Sequence, residues 1–264
     1  MKPELIERLN QINLKFYSDL AASFSEARPA SARELETILP YIADGASVLD
    51  IGCGNGRVAA MLARYRREVT YIGVDASQEL IARCKMQEAS YRSQVAEFVA
   101  ADITQSNWID SLSQPRAGEP SKEGRWPGPA LSEAERMRVF DCVLMLAVLH
   151  HIPGSDVRAR IMRQVRELVA PQGRIVISTW QFLDSERMRK KIVPWNVVEI
   201  DERELEPGDA LLNWKRGGTG LRYCHWIGGD ELRLLAAQAD LNIVETFRAG
   251  GREGNLSLYA VVSA

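Results

Sequence analysis

The stretch Asp50-Ile51-Gly52-Cys53-Gly54-Asn55-Gly56 has residue types and spacing suited to cradling a ligand. Glycines let the backbone turn sharply and approach a bound group with no Cβ in the way. The spacing narrows the chemistry. A dinucleotide fingerprint starting at Gly52 needs glycine or alanine at position 57, where this chain has Arg57. A phosphate-cradling loop would need a following Gly-Lys-Ser/Thr, and none follows. Two further carboxylates extend the set. Asp75 can accept hydrogen bonds from both hydroxyls of a ribose. Asp102 can receive an exocyclic amine of adenine, with Ile103 packed on the ring. Singly, each reads as a loop or helix-capping carboxylate. One at each strand tip, beside a glycine turn, reads as a nucleoside site. His150 and His151 stand further along and could orient a reacting group or act as a base. A structural histidine bonded to loop backbone is the equal alternative for each. Trp180 could wall such a pocket or simply serve the core.

The elements that must position these groups follow from periodicity. Leu5, Leu9, Ile12 and Phe16, then Leu35, Ile38, Leu39 and Ile42, recur at helical spacing, making residues 1–44 a helical cap broken near Pro29. From residue 47 strands and helices alternate. Strands are expected at 48–51, 69–74, 98–101, 140–147 and 174–180, and helices at 58–65, 77–89 and 157–169. Valine-, isoleucine- and leucine-rich strands, each followed by an amphipathic helix, indicate a parallel sheet covered on both faces. A helix at 230–240 precedes strands at 243–247 and 256–262. Glycines between those two strands make a hairpin, which places an antiparallel strand at the end of the sheet. Residues 113–137, rich in proline and glycine, and residues 181–221 read as insertions in a single domain spanning 1–264. The second insertion is expected to be a substrate lid.

Composition excludes several classes. The 264 residues carry 33 basic and 35 acidic side chains, a net charge of −2, so a uniformly basic nucleic-acid binder is ruled out. The longest apolar run, 143–149, falls far short of the roughly 20 residues that span a bilayer. The N-terminus lacks the apolar core of a secretory signal. Cys53, Cys84, Cys142 and Cys224 are scattered, which argues against a disulfide scaffold or a metal cluster and for a cytoplasmic setting.

VLDIGCGNG, YIGVDAS, AAD, FDCVLMLAVLHHI and GRIVIS stand in one order along the chain. In that order they resemble the class I S-adenosylmethionine-dependent methyltransferases. The resemblance implies a Rossmann-like α/β fold: a seven-stranded, mostly parallel sheet with an antiparallel terminal strand and an N-terminal helical cap. It also implies S-adenosylmethionine at the carboxyl ends of the first strands. Asp50 and the loop Gly52, Cys53, Gly54 and Gly56 would hold the methionine part, with Cys53 as a small filler. Asp75 and Ala76 would take the ribose, Asp102 and Ile103 the adenine, and Tyr17 and Leu146 would complete the pocket. No metal is implied.

The flanks narrow the resemblance. Phe16-Tyr17, Phe24-Ser25 and Arg28, the doubled histidine, the strand end ISTW, Val193-Pro194-Trp195, Arg222-Tyr223-Cys224-His225 and GGDELRLLAAQADL are similar to the tRNA wobble-uridine carboxymethyl methyltransferases. That likeness implies a carboxymethyl group on a tRNA uridine as acceptor. Arg28, Arg222, Tyr223 and His225, with His150 and His151, then become its candidate positioning residues, and residues 16–28 are expected to close over the cofactor. Departures exist. Asn255-Leu256 stands where the family carries Asn-Trp, Ala27 replaces a threonine, and 113–129 has no counterpart. A small carboxylate or hydroxyl metabolite is therefore the alternative acceptor, and a non-catalytic S-adenosylmethionine-binding protein is the alternative of another class. A membrane partner is not expected. A protein partner, as eukaryotic relatives have, carries no residue signal here.

Overall fold

Runs of β-branched and leucine residues form the strands that set the site. The computed structural model describes residues 1–26, 33–65, 68–87, 95–112 and 139–264. The proline- and glycine-rich segment and Arg28 lie outside the described residues. Five strands run parallel: β1 (Ser47–Ile51), β2 (Thr70–Asp75), β3 (Val95–Ala100), β4 (Phe140–Leu146) and β5 (Val169–Trp180). A second sheet holds β6 (Ile192–Val193), β7 (Asp209–Trp214) and β8 (Gly220–His225), and the chain ends in β9 (Asn242–Ala249) and β10 (Ser257–Ser263). The main sheet has the order β3-β2-β1-β4-β5-β10-β9, with β10 antiparallel to both of its neighbours. The expected seven-stranded sheet with its terminal antiparallel hairpin is thus present. Its order reverses between β1 and β4, and such a switch point opens a crevice beyond the carboxyl ends of the strands.

Alternate residues of each strand enter different cores. Leu49, Ile51, Ile72 and Val74 face α6 (Ser155–Leu168) and α8 (Gly229–Ala237), whereas Val48 and Tyr71 face the side covered by α3 (Arg33–Glu36), α4 (Arg57–Arg64) and α5 (Gln78–Gln87). Ser77 caps α5, its hydroxyl accepting from the Leu80 amide at 3.2 Å. One boundary differs. The gap expected between the helix ending at 169 and the strand starting at 174 lies inside β5, where Phe140 pairs with Val169 but Cys142 with Arg174, so the strand is irregular and not interrupted.

The insertion at 181–221 holds the short helix α7 (Glu186–Arg189) and an antiparallel sheet, β6-β7-β8, which continues to His225. Ala210, Leu211 and Leu212 are all buried, so this sheet shows none of the alternation expected of a one-sided strand. Helix α1 (Pro3–Asp19) clamps it, Leu5 and Leu9 packing with Leu211, Tyr223 and Trp195. A buried amide fastens the joint. Asn13 donates to the His151 carbonyl and accepts from the Tyr223 amide, each at 2.9 Å, tying cap, main sheet and second sheet together.

Candidate active site

At the carboxyl ends of β1, β2 and β4 lies a cavity lined by Asp50, Gly52, Cys53, Gly54, Asp75, Ala76, Asp102, Ile103 and Leu146. Tyr17, from α1, and Phe24, from α2 (Ala21–Glu26), close it from the cap. These lining residues include most of the sequence-derived cofactor set. Asp75 accepts from the Gly54 amide on one oxygen and from the Ser77 amide on the other, both at 2.9 Å. Each carboxylate oxygen keeps a second lone pair, enough for the two hydroxyls of a ribose. Asp102 accepts from the Thr104 amide at 2.9 Å and its hydroxyl at 2.7 Å, which fixes the turn after β3. Asp50 is buried and accepts a 2.5 Å hydrogen bond from the Tyr71 hydroxyl. Burial pushes the Asp50 carboxyl up to about 7, against the opposing pull of Tyr71 and Arg57. Burial likewise pushes the Cys53 thiol well up, leaving it the neutral filler expected of it.

Gly56 does not line this cavity. Its left-handed backbone (φ +74°) precedes α4, so it serves the turn into that helix and not the ligand. Residues that sequence reasoning did not single out do line it: Asn10, Asn13, Arg57 and Ala147. Ala147 sits at φ +59° with its amide 3.0 Å from both the Ser178 carbonyl and the Ser178 hydroxyl. A non-glycine residue held in that region marks a backbone constrained by its surroundings. No pattern of residue types signals it.

A second cavity of about 640 Å³ adjoins the first, sharing Arg57 and Ala147 with it. Trp180 walls it, as the sequence suggested, together with Trp214 and Arg222. Arg187, Lys190, Lys191, Lys215 and Arg216 make its rim cationic. Among the described residues its one acidic lining residue, Glu34, is ion-paired with Arg57 at 3.2 Å.

The family described as a methyltransferase domain matches residues 24–246. The chain belongs to this family. It carries a methyltransferase domain. Over 164 residues it is 23% identical to the tRNA (carboxymethyluridine(34)-5-O)-methyltransferase ALKBH8 of Mus musculus, covering 62% of this chain and 19% of that protein. The match therefore spans about a fifth of that relative's length. It is 27% identical over 222 residues to the 27-O-demethylrifamycin SV methyltransferase of Amycolatopsis mediterranei, covering 79% of this chain and 70% of that protein. Among solved structures, a SAM-dependent methyltransferase from Methanosarcina mazei superposes with a TM-score of 0.59 at 20% identity, covering 86% of this chain and 95% of that one.

The acceptor set drawn from the sequence divides. His151 lines the cofactor cavity, its Nε2 3.1 Å from the Tyr17 hydroxyl and its Nδ1 3.0 Å from the Tyr223 carbonyl oxygen. A carbonyl can only accept, so Nδ1 carries the proton and Nε2 the lone pair in the neutral ring. His150, Tyr223 and His225 line neither cavity, which corrects their expected role. His150 is fully buried, and its Nδ1 lies 3.4 Å from the Trp180 amide. The Tyr223 hydroxyl donates to Asp209 at 2.7 Å, on the opposite face of β8 from Arg222. His225 lies between Asp209 and Glu231, at 2.7 and 2.9 Å. Strand alternation puts Arg222 on the face of β8 opposite Tyr223 and His225, and it is Arg222 that lines the second cavity.

Among the described residues, no helix is long and apolar enough to cross a membrane.

Proposed function

We propose that this protein transfers a methyl group from S-adenosylmethionine to the carboxylate of a carboxymethyl substituent on a tRNA uridine. The observation that carries the reading is the cationic cavity beside the cofactor cavity, with a basic rim suited to a polyanion. The relative named for carboxymethyluridine methylation agrees with it. S-adenosylmethionine supplies an electrophilic methyl group when bound. The chain's own residues do the rest. Asp75 receives the ribose hydroxyls, Asp102 the adenine amine and Asp50 the ammonium of the methionine part. In-line attack needs the acceptor oxygen about 3 Å from the methyl carbon, and the cavity walls would position the acceptor for it. A carboxylate is already anionic at neutral pH and requires no base.

The test is labelled methyl transfer to tRNA bearing carboxymethyluridine, run beside a pool of small carboxylic acids. Transfer to tRNA with a steep inverse dependence on salt is expected. Transfer to the small acids alone would overturn the tRNA reading.

A pH dependence follows from Asp50. Because its carboxyl titrates at about 7 in the free protein, cofactor affinity is expected to be flat above that pH. Below it, affinity should fall by about tenfold per unit as the carboxyl protonates and loses its attraction for an ammonium group. Isothermal titration with S-adenosylhomocysteine between pH 5.5 and 8.5 checks this. Asp50→Asn should be weak at every pH and flat across the range.

A second reading has its own support. The relative from Amycolatopsis mediterranei, matched over most of its length, is named for an O-methylation of an antibiotic. A hydroxyl acceptor would need a base, and His151, whose Nε2 accepts from the Tyr17 hydroxyl at the cofactor cavity, is placed to receive the proton by way of that hydroxyl.

A further inference from the structure

Among the described residues two arginines are buried almost completely, Arg158 and Arg222, and their surroundings treat them in opposite ways. Arg158 is paired with Glu206 at 2.7 Å and Glu231 at 3.0 Å. Arg222, only 2% exposed, has no acidic partner among the described residues, and its Nε and Nη1 lack any hydrogen-bond acceptor. Three aromatic rings hold it instead. Its Cζ lies 4.7 Å from the Phe16 ring centre, 4.9 Å from Trp180 and 5.3 Å from Trp214. Aromatic faces offset part of the cost of burying a cation but supply no counter-charge. Nor does the neighbourhood. Lys191, Lys215 and Arg216 line the same cavity, and the Glu34 carboxylate is taken by Arg57. Burial, Arg187 and Arg222 together depress the Lys191 ammonium below its ordinary range, as expected where positive charges crowd. The site is short of one anion, and it opens on the cavity next to the cofactor.

We infer that Arg222, caged by Phe16, Trp180 and Trp214, is a carboxylate subsite that selects the methyl acceptor by its charge. The inference rests on the second cavity being the acceptor cavity and goes further by naming the group recognised and the residue that recognises it. A guanidinium matches a carboxylate in plane and charge, and the rings fix it so that little freedom is lost on contact. A neutral hydroxyl acceptor would leave the buried cation unanswered. The chemistry also explains turnover. One carboxylate oxygen gains the methyl group as the carbon–oxygen bond forms and the methyl–sulfur bond breaks, the electron pair staying on sulfur. No proton moves, and the product is a neutral ester. Arg222 thereby loses its partner, which favours substrate over product in the same cavity.

Trp180 and Trp214 flank the guanidinium, so tryptophan emission is the natural readout. The full-length protein saturated with S-adenosylhomocysteine is titrated with sodium acetate, with sodium chloride as the ionic-strength control and inorganic phosphate as a rival anion. A saturable acetate response is expected, distinct from chloride, with a midpoint at least tenfold higher in Arg222→Met. Arg222→Lys, which keeps the charge without the planar fork, should fall between them. Unchanged S-adenosylhomocysteine affinity and far-ultraviolet circular dichroism in both variants establish that they fold. An acetate response equal to that of chloride, or equal in wild type and Arg222→Met, overturns the proposal, and a preference for phosphate overturns its carboxylate assignment. Because acetate contains no nucleoside, these outcomes do not depend on whether tRNA is the acceptor. Failure of tRNA methylation with acetate binding intact would remove the tRNA reading and leave the subsite standing.

Discussion

Gly54→Val is expected to abolish detectable cofactor binding, by more than a hundredfold, while the protein remains folded. Gly54 has φ +57°, and a Cβ built there meets no protein atom closer than Phe24 Cε1 at 3.7 Å. The added side chain therefore projects into the space reserved for ligand instead of into the core. Its stability cost is the backbone strain of a branched residue in the left-handed region, about 1–2 kcal/mol. The neighbouring glycine supplies the contrast. A Cβ on Gly52 would stand 2.2 Å from Val148 Cγ2, with φ at +70°, so Gly52→Val should lower the unfolding midpoint severely as well as binding. Calorimetric titration with S-adenosylhomocysteine and urea denaturation separate the two effects. Full cofactor affinity in Gly54→Val would remove this loop from the site.

The contrast between these glycines marks how far the sequence could be read. The spacing of Asp50, Gly52 and Gly54, with Asp75 and Asp102 at later strand tips, was enough to place these five residues around one cavity, because strand tips on a parallel sheet converge at one edge. The same logic says less about Gly56, which does not line that cavity and whose left-handed backbone is set by the turn into α4. The second sheet was illegible for a physical reason. With consecutive residues of β7 buried and β6 only two residues long, neither leaves a period to detect. The acceptor motif illustrates the converse. Arg222, Tyr223 and His225 are adjacent in sequence, but only knowledge that they form a strand separates the first from the second. His225 shares a face with Tyr223 by alternation, and both side chains meet Asp209, opposite the face that carries Arg222. Asn13 could not be weighed from sequence either, because its two partners lie in the loop after β4 and in β8.

Arg158→Met is expected to destabilise the fold by about 3–5 kcal/mol, the range for removing one partner of a buried ion pair. Arg158 binds the Ile152 carbonyl at 3.0 Å and holds Glu206 and Glu231, while His225 lies against Asp209 and Glu231. Glu206, Asp209 and His225 place donor atoms within 4.8 Å of one another, and those atoms are engaged by Arg158, Tyr223 and Glu231. The cluster rivets β7 and β8 to α6 and α8, so its loss should loosen the sheet that carries Arg222. Burial opposes charge on His225, but hydrogen bonds to Asp209 and Glu231 outweigh it and raise its pKa above the ordinary value. Its contribution is therefore fully present below the unfolded-state pKa of about 6.5 and is lost as pH rises through the folded-state value. Burial also opposes charge on Glu206 and Glu231, yet Arg158 and His225 hold both below the usual carboxylate range. Their contribution is present above about pH 4.3 and is lost as pH falls through the depressed values. The cluster should thus stabilise most between about pH 4.3 and 6.5. Urea midpoints of wild type and His225→Gln across pH 4–9 test this directly. The difference between them should be largest in that window and shrink on the alkaline side. A difference independent of pH would show that His225 acts there as a neutral ring, and an Arg158→Met loss under about 1 kcal/mol would show that the cluster does not hold the second sheet.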